Sequence, residues 1–237
     1  MVQAESNPFF GKYNTPFETT PFDKIKTEHY EPAFQRGIDE LKKDIDNITN
    51  NPKPATFENT IVALERSGKL LNRVSGAFFN VLSANANDEM MEISQRVSPS
   101  LTESSNYIYL NEKLFNRVKA VYDQRASLNL NTEDAKLLEE TFRSFQEKGA
   151  NLNSADKEKY KELTKELSLL TLQFDQNSLK DQNRFEMLLT DQKEVAGLPE
   201  SALDAAKFAA KEKGKEGWLF TLDAPSYGAF VKYADSR

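Results

Sequence analysis

Apolar residues recur along most of this chain at intervals of three and four, the period of a helix that buries one face. Phe34, Ile38, Leu41, Ile45 and Ile48 form the first stripe. It predicts a helix starting near Thr27, with Glu28 and Glu31 favourable in its first turn and Pro32 shifting its start or kinking it. The longest run before the middle of the chain covers 56–87. Its stripe is Phe57, Ile61, Leu64, Leu71, Val74, Phe78 and Val81, with Gly68 where a further member would stand. This predicts one continuous core helix beginning in the Thr56–Asn59 region. Met90, Ile93, Val97 and Leu101 mark a third helix with a kink expected at Pro99. Asn111 is a plausible N-cap for a fourth through Leu114, Val118, Val121 and Tyr122. LNLN then breaks the pattern, and Thr132 restarts it through Leu138, Phe142 and Phe145 to Gly149, a C-cap candidate.

Ser154 is expected to cap the longest helix. Tyr160, Leu163, Leu167, Leu170 and Phe174 keep a 3-4-3-4 spacing, a seam suited to a neighbouring helix. Leu169, Leu172 and Leu179 widen the apolar arc, so burial on more than one side is expected. From Arg184 the period becomes two. RFEMLLT and WLFTLD alternate, reading as two short strands, parallel or antiparallel. Pro199 opens an alanine-rich helix between them, and a final helix begins at about Ser226. Residues 1–26 lack helical period but carry Phe9, Phe10, Phe17 and Phe22 among prolines. They predict an extended arm whose aromatics plug into grooves on the body. The fold class is therefore mainly α: a bundle-like array of antiparallel helices with a small two-stranded β element near the C-terminus. Its expected parts are an arm at 1–26, a helical body at 27–183, and a strand-helix-strand-helix segment at 184–237.

Composition narrows the function more than the pattern does. The chain has 237 residues, 38% hydrophobic and 29% charged, as expected of a soluble globular protein. A net charge of −6 argues against a nucleic-acid partner. No apolar run approaches the ~20 residues that span a bilayer, so no membrane partner is expected. The N-terminus lacks a basic segment followed by an apolar core. The expected location is cytoplasmic, or periplasmic where a signal peptide has been removed. There is no cysteine, which removes thiol catalysis, disulfides and cysteine metal sites. The single histidine is more restrictive still, since H-E-x-x-H needs two. His29 lies beside a helix start between Glu28 and Glu31, and a structural role is expected for it.

Few residues invite a site. SANAND at 83–88 ends a core helix, so Asn85 and Asn87 could face a substrate, although capping of a helix end explains them as well. Asp223, Ser226 and Tyr227 in LDAPSY sit between a strand and a helix. They could present a hydroxyl or backbone edge to a peptide, or simply cap the helix around Pro225. Trp218 is expected in the core. The acidic pairs Glu139–Glu140 and Asp156–Glu158 read as solvated helix positions rather than acid/base pairs.

Taken in order, six segments carry a resemblance. They are PFDKIKTEHYEPAF at 21–34, PATFENTIVALERSGKLLNRVSGAFFNVLSANAND at 54–88, and YLNEKLFNRVKAVYDQR at 109–125. GANLNSADKEKYKELTKELSLLTLQFDQN at 149–177, then GLPESAL and WLFTLDAPSYGAFVKYADSR within 197–237, complete the set. This ordered set resembles the N-terminal part of the thimet-oligopeptidase/neurolysin family of zinc metallopeptidases, in its bacterial peptidyl-dipeptidase and oligopeptidase A branch. The resemblance implies a helical wall of a deep channel that admits short peptides. The family's other half carries H-E-x-x-H, the zinc and the glutamate that activates the zinc-bound water.

This chain departs from the family at that point. It has no H-E-x-x-H, so no zinc ligand and no general base carries over to any position. No catalytic, cofactor or metal residue is therefore expected here; zinc belongs to the parent enzyme's missing catalytic half. Ending a helix at Arg237 without a cap suggests a cut inside a longer polypeptide. The expected partners are that catalytic half and, for the full enzyme, short peptides. Faces normally covered by the missing half should be exposed and apolar, above all on the 154–180 helix or the last helix. The chain should then self-associate or pair with its catalytic half. A free-standing helical interaction module without catalysis is the alternative.

Overall fold

The computed structural model describes residues 7–85 and 87–236. The chain divides into two compact units, residues 1–172 and 173–237. In the first, three short 3-10 turns, Pro8–Phe10, Pro16–Glu18 and Thr27–His29, lead into α1, Tyr30–Thr49. Pro32 sits in the first turn of α1, where a missing N–H costs nothing. The α1 stripe Phe34, Ile38, Leu41, Ile45 and Ile48 is buried as its spacing predicts.

The 56–87 segment is not one helix. A π-helical turn at Phe57–Val62 and the single α-turn α2, Ala63–Glu65, precede α3, Lys69–Asn85. The break falls at Gly68, the gap in the stripe. Its φ is +64°, a conformation glycine adopts without a Cβ penalty, and a Cβ there would lie 2.9 Å from Leu41 Cδ1. Its N–H donates to Asp44 Oδ2 at 3.1 Å, tying the bend to α1. The start at Thr56 is a reciprocal cap: Asn59 N–H donates to Thr56 Oγ1 at 3.1 Å, and Thr56 N–H to Asn59 Oδ1 at 2.9 Å. Downstream come α4, Asp88–Tyr109, continuous through Pro99, α5, Glu112–Asp123, and α6, Thr132–Glu147. Asn111 caps α5, its Oδ1 accepting from Leu114 N–H at 3.0 Å. The α6 cap is Asn131, one residue before the expected start.

The core of this unit is aromatic. Phe78 is fully buried and meets Tyr30 and Phe34 edge-on, with centroids 5.0 and 5.3 Å apart. Phe9 of the arm joins through Tyr30 at 5.5 Å. A second set stacks α5 on α6, with Tyr122 on Phe142 at 3.9 Å and Phe115 on Phe145 at 5.9 Å. Such rings contribute about 2–3 kcal/mol each through burial and about 1 kcal/mol more per pair. The arm is only partly seated. Phe9 and Tyr13 are buried, and Arg73 donates to the Gly11 carbonyl at 3.1 Å, but Phe10, Phe17 and Phe22 are exposed.

The longest helix, α7, runs Ser154–Arg184 across the division between units. Its cap is Asn153 rather than Ser154: Asp156 N–H donates to Asn153 Oδ1 at 2.9 Å. The expectation that α7 is buried on more than one side is wrong. Gln176 is its buried residue among those described, while Leu163, Leu167, Leu169 and Leu170 are exposed. Nothing in the described chain covers that seam.

The second unit contains β1, Met187–Leu189, and β2, Trp218–Phe220, paired antiparallel with Leu188 opposite Leu219. Between and after them lie α8, Glu200–Glu212, and α9, Ala224–Tyr233. Val195, Leu198, Ala206, Phe220 and Ala234 form its core, with Trp218 half-buried against them. Gly197 makes the tight approach that closes it: φ is +85°, and a Cβ would sit 2.4 Å from the Tyr233 carbonyl. Asp235 N–H donates to the Ala196 carbonyl at 2.9 Å beside it. The observed architecture is thus mainly α with one small sheet. Among the described residues, no helix is long and apolar enough to cross a membrane.

Candidate functional site

The five candidate residues fall in two places, one in each unit. Asn85 is the exposed last residue of α3, and Asn87 is the N-cap of α4, its Oδ1 accepting from Met90 N–H at 2.8 Å. Ala86 between them lies outside the described residues. In the second unit, Thr221 draws two candidates together. Its hydroxyl donates to Asp223 Oδ2 at 2.8 Å, and its N–H donates to Ser226 Oγ at 2.9 Å. Asp223 also accepts from Gln182 Nε2 at 3.3 Å. It occupies the N-cap position of α9 without a side-chain capping bond. Tyr227 N–H donates to the Asp223 carbonyl at 2.9 Å, and the Tyr227 ring is exposed. Thr221 was not among the candidates, although a threonine two residues before an aspartate is a spacing that allows such a turn.

Asp223 and Ser226 line a groove of about 620 Å³ between α8, β2 and α9. The α8 wall is built from Ala202, Ala205, Ala206 and Ala209, whose small side chains keep it open. The groove offers an apolar wall with a few hydroxyls and one carboxylate at its edge. It contains no histidine, lysine or cysteine to act as base or nucleophile. Physically it can hold an apolar side chain.

His29 is 8% exposed, and its imidazole serves the chain itself. Nδ1 accepts from Lys26 N–H at 3.0 Å, closing the 3-10 turn that opens α1, and its carbonyl accepts from Asn7 Nδ2 at 2.7 Å. The acidic pairs are ion-paired or hydrogen-bonded groups at helix positions. Glu140 pairs with Lys136 at 2.7 Å and with Arg143, and the hydrogen bond from Lys136 holds its carboxyl below the usual glutamate range. Glu158 pairs with Lys161 at 2.7 Å, and Asp156 accepts from Asn153 Nδ2 at the same distance. Among the described residues, no group of three histidine, aspartate or glutamate side chains could hold a metal ion.

The exposed surface carries the other functional signal. Leu163, Leu167 and Leu170 form an apolar ridge on α7, and Leu167 is 62% exposed. One turn on, Phe174 is 71% exposed. Tyr227, Val231 and Tyr233 of α9 are exposed as well. The exposed apolar face expected on the 154–180 helix or the last helix is thus found on α7, and α9 exposes apolar residues too.

No family model matches the chain. Individual relatives do. Dipeptidyl carboxypeptidase of Escherichia coli K12 is 40% identical over 217 residues, 91% of this chain and 32% of that protein. Oligopeptidase A of the same organism is 32% identical over 223 residues, 94% of this chain and 33% of that protein. These relatives are thimet-oligopeptidase-family members, and the chain corresponds to a fragment of them. A thimet-like oligopeptidase of Dictyostelium discoideum aligns more distantly, at 19% identity over 87% of this chain and 30% of its own length. The chain spans about a third of the length of the relatives it matches. Within that third, the family's residues here supply packing, caps and exposed apolar faces, and the imidazole is committed to a backbone cap.

Proposed function

We propose that this chain is the N-terminal, channel-wall part of a zinc-dependent peptidyl-dipeptidase or oligopeptidase acting on short peptides. The observation that carries this reading is the pairing of 40% identity over 91% of the chain with coverage of only 32% of the relative. The exposed ridge on α7 supports it, since a soluble protein rarely leaves such a face uncovered. The chain's own donors do not fit zinc. There is one imidazole, its Nδ1 already accepts an amide, and there is no cysteine. Zinc therefore resides in the remaining two-thirds of the polypeptide, and no catalytic step runs through residues 1–237.

In this reading, residues 184–237 lead into the catalytic part, and the Asp223–Ser226 turn stands near the substrate path. The test uses the longer polypeptide that carries this chain. Short peptides with free C-termini are incubated with it and the products identified by mass. Successive dipeptides from the C-terminus support a peptidyl-dipeptidase, and internal cuts support an oligopeptidase. Absence of both, in a metal-loaded preparation, rejects the proposal and leaves a helical interaction module.

A further inference from the structure

Phe17 combines three features: full exposure, a left-handed backbone and a hydrogen-bonded turn. Its side chain is 100% exposed. Its φ is +58°, and that of Glu18 is +54°, a left-handed conformation that is costly for residues with a side chain. Its turn is nonetheless firmly built. Glu18 N–H donates to the Thr15 carbonyl at 3.1 Å, Thr19 Oγ1 donates to the Pro16 carbonyl at 3.0 Å, and the Thr15 hydroxyl bonds the Thr19 carbonyl. Pro16 fixes the entry, and Lys12 pairs with Glu18 at 3.2 Å across it. The turn is moored by the buried Tyr13 ring and by the Arg73 bond to the Gly11 carbonyl. A strained but hydrogen-bonded turn that holds a ring in water is the form of a preorganised contact residue.

We infer that Phe17 is a docking anchor whose ring inserts into an apolar pocket on the part of the same polypeptide that lies outside this chain. This rests on the reading that the chain is one portion of a longer peptidase. Magnitude selects that occupant over a free partner or a second copy. Burying one phenylalanine ring favours a contact by roughly ten- to a hundredfold. Joining two separate molecules costs about a thousandfold or more in lost freedom of motion. A lone anchor is too weak to recruit a separate molecule, but it suffices where the partner is already tethered. The relatives are about three times as long as the matched segment, which supplies such a tethered partner.

The absence of cysteine gives a clean test, because Phe17→Cys introduces a single thiol into this chain. Its maleimide labelling is read by peptide mass, relative to the denatured protein, in the 237-residue chain and in the longer polypeptide. The thiol is expected to react at the denatured rate in the short chain and at least about tenfold more slowly in the longer one. Equal rates in a longer polypeptide that hydrolyses peptides would overturn the anchor while leaving the proposed function intact. Concentration-dependent protection in the short chain would overturn it in favour of a second copy. Phe17→Gly gives an independent readout, since glycine relaxes the positive φ. It should leave the melting temperature of the short chain unchanged or higher, and lower that of the longer polypeptide. An equal fall in both would assign the ring a role within this chain and reject the inference.

Discussion

Substituting Gly37 by alanine tests how closely α1 and α3 approach. An added Cβ at Gly37 would lie 2.9 Å from both the Cα and the N of Leu71. These are backbone atoms of α3, so no side chain can rotate away, and the two helices must separate. Overpacking of this kind costs up to about 3 kcal/mol. Alanine returns about 1 kcal/mol of helix propensity. The net loss is then about 2 kcal/mol, or a fall of about 4–8 °C in Tm for a unit of this size. Gly76, in α3, provides the matched control, since its Cβ would meet nothing within 4 Å. Gly76→Ala should stabilise by about 1 kcal/mol or less. Calorimetry or thermal circular dichroism of both variants reads the contrast. A Gly37→Ala variant that melts at or above the parent, or a shift of both variants in the same direction, would contradict the close helix approach.

Phe78→Ala removes the ring that meets Tyr30 and Phe34 and should cost about 3–5 kcal/mol in urea unfolding of the chain; a loss below about 1 kcal/mol would mean that this cluster is not the core. Glu186 is held at about 2 by hydrogen bonds from Lys213 and Lys215. Because its folded value is depressed, the stabilisation is present above the ordinary glutamate range, near 4.5, and is lost as pH falls toward 2. Glu186→Gln should therefore flatten the acid limb of the second unit's pH–stability curve, and an unchanged limb would contradict the assignment. Leu167→Glu with Leu170→Glu should leave the chain's Tm within about 4 °C while abolishing concentration-dependent association in sedimentation velocity. A clean monomer at high concentration before substitution would count against the α7 ridge as an interface.

The periodic spacing made α1, α4, α5 and α6 legible, because each buries its stripe within the described chain. Asn111 and Gly149 were legible as helix ends through local chemistry: a carboxamide accepting an amide, and a glycine free to take φ +90°. The 56–87 segment misled because its stripe continues in phase across the Gly68 bend. A glycine in the stripe is compatible both with a gap in one helix and with a left-handed turn, and only its φ of +64° decides. The α7 seam misled differently. Its spacing correctly marks a surface that seeks a partner, but a stripe does not state which chain supplies that partner. Phe17 had no signal at all, since a positive φ at a phenylalanine cannot be read from residue type. His29 was readable by elimination: one imidazole without cysteine leaves little but a structural role, and its bond to Lys26 N–H is such a role.

We propose that residues 1–237 shape a peptidase without supplying its chemistry. This proposal is tested most directly by incubating the purified chain with zinc and a short peptide, and measuring products by mass together with protein-bound metal. No cleavage and no stoichiometric zinc are expected. Chelator-sensitive cleavage with one tightly bound zinc per chain would contradict it.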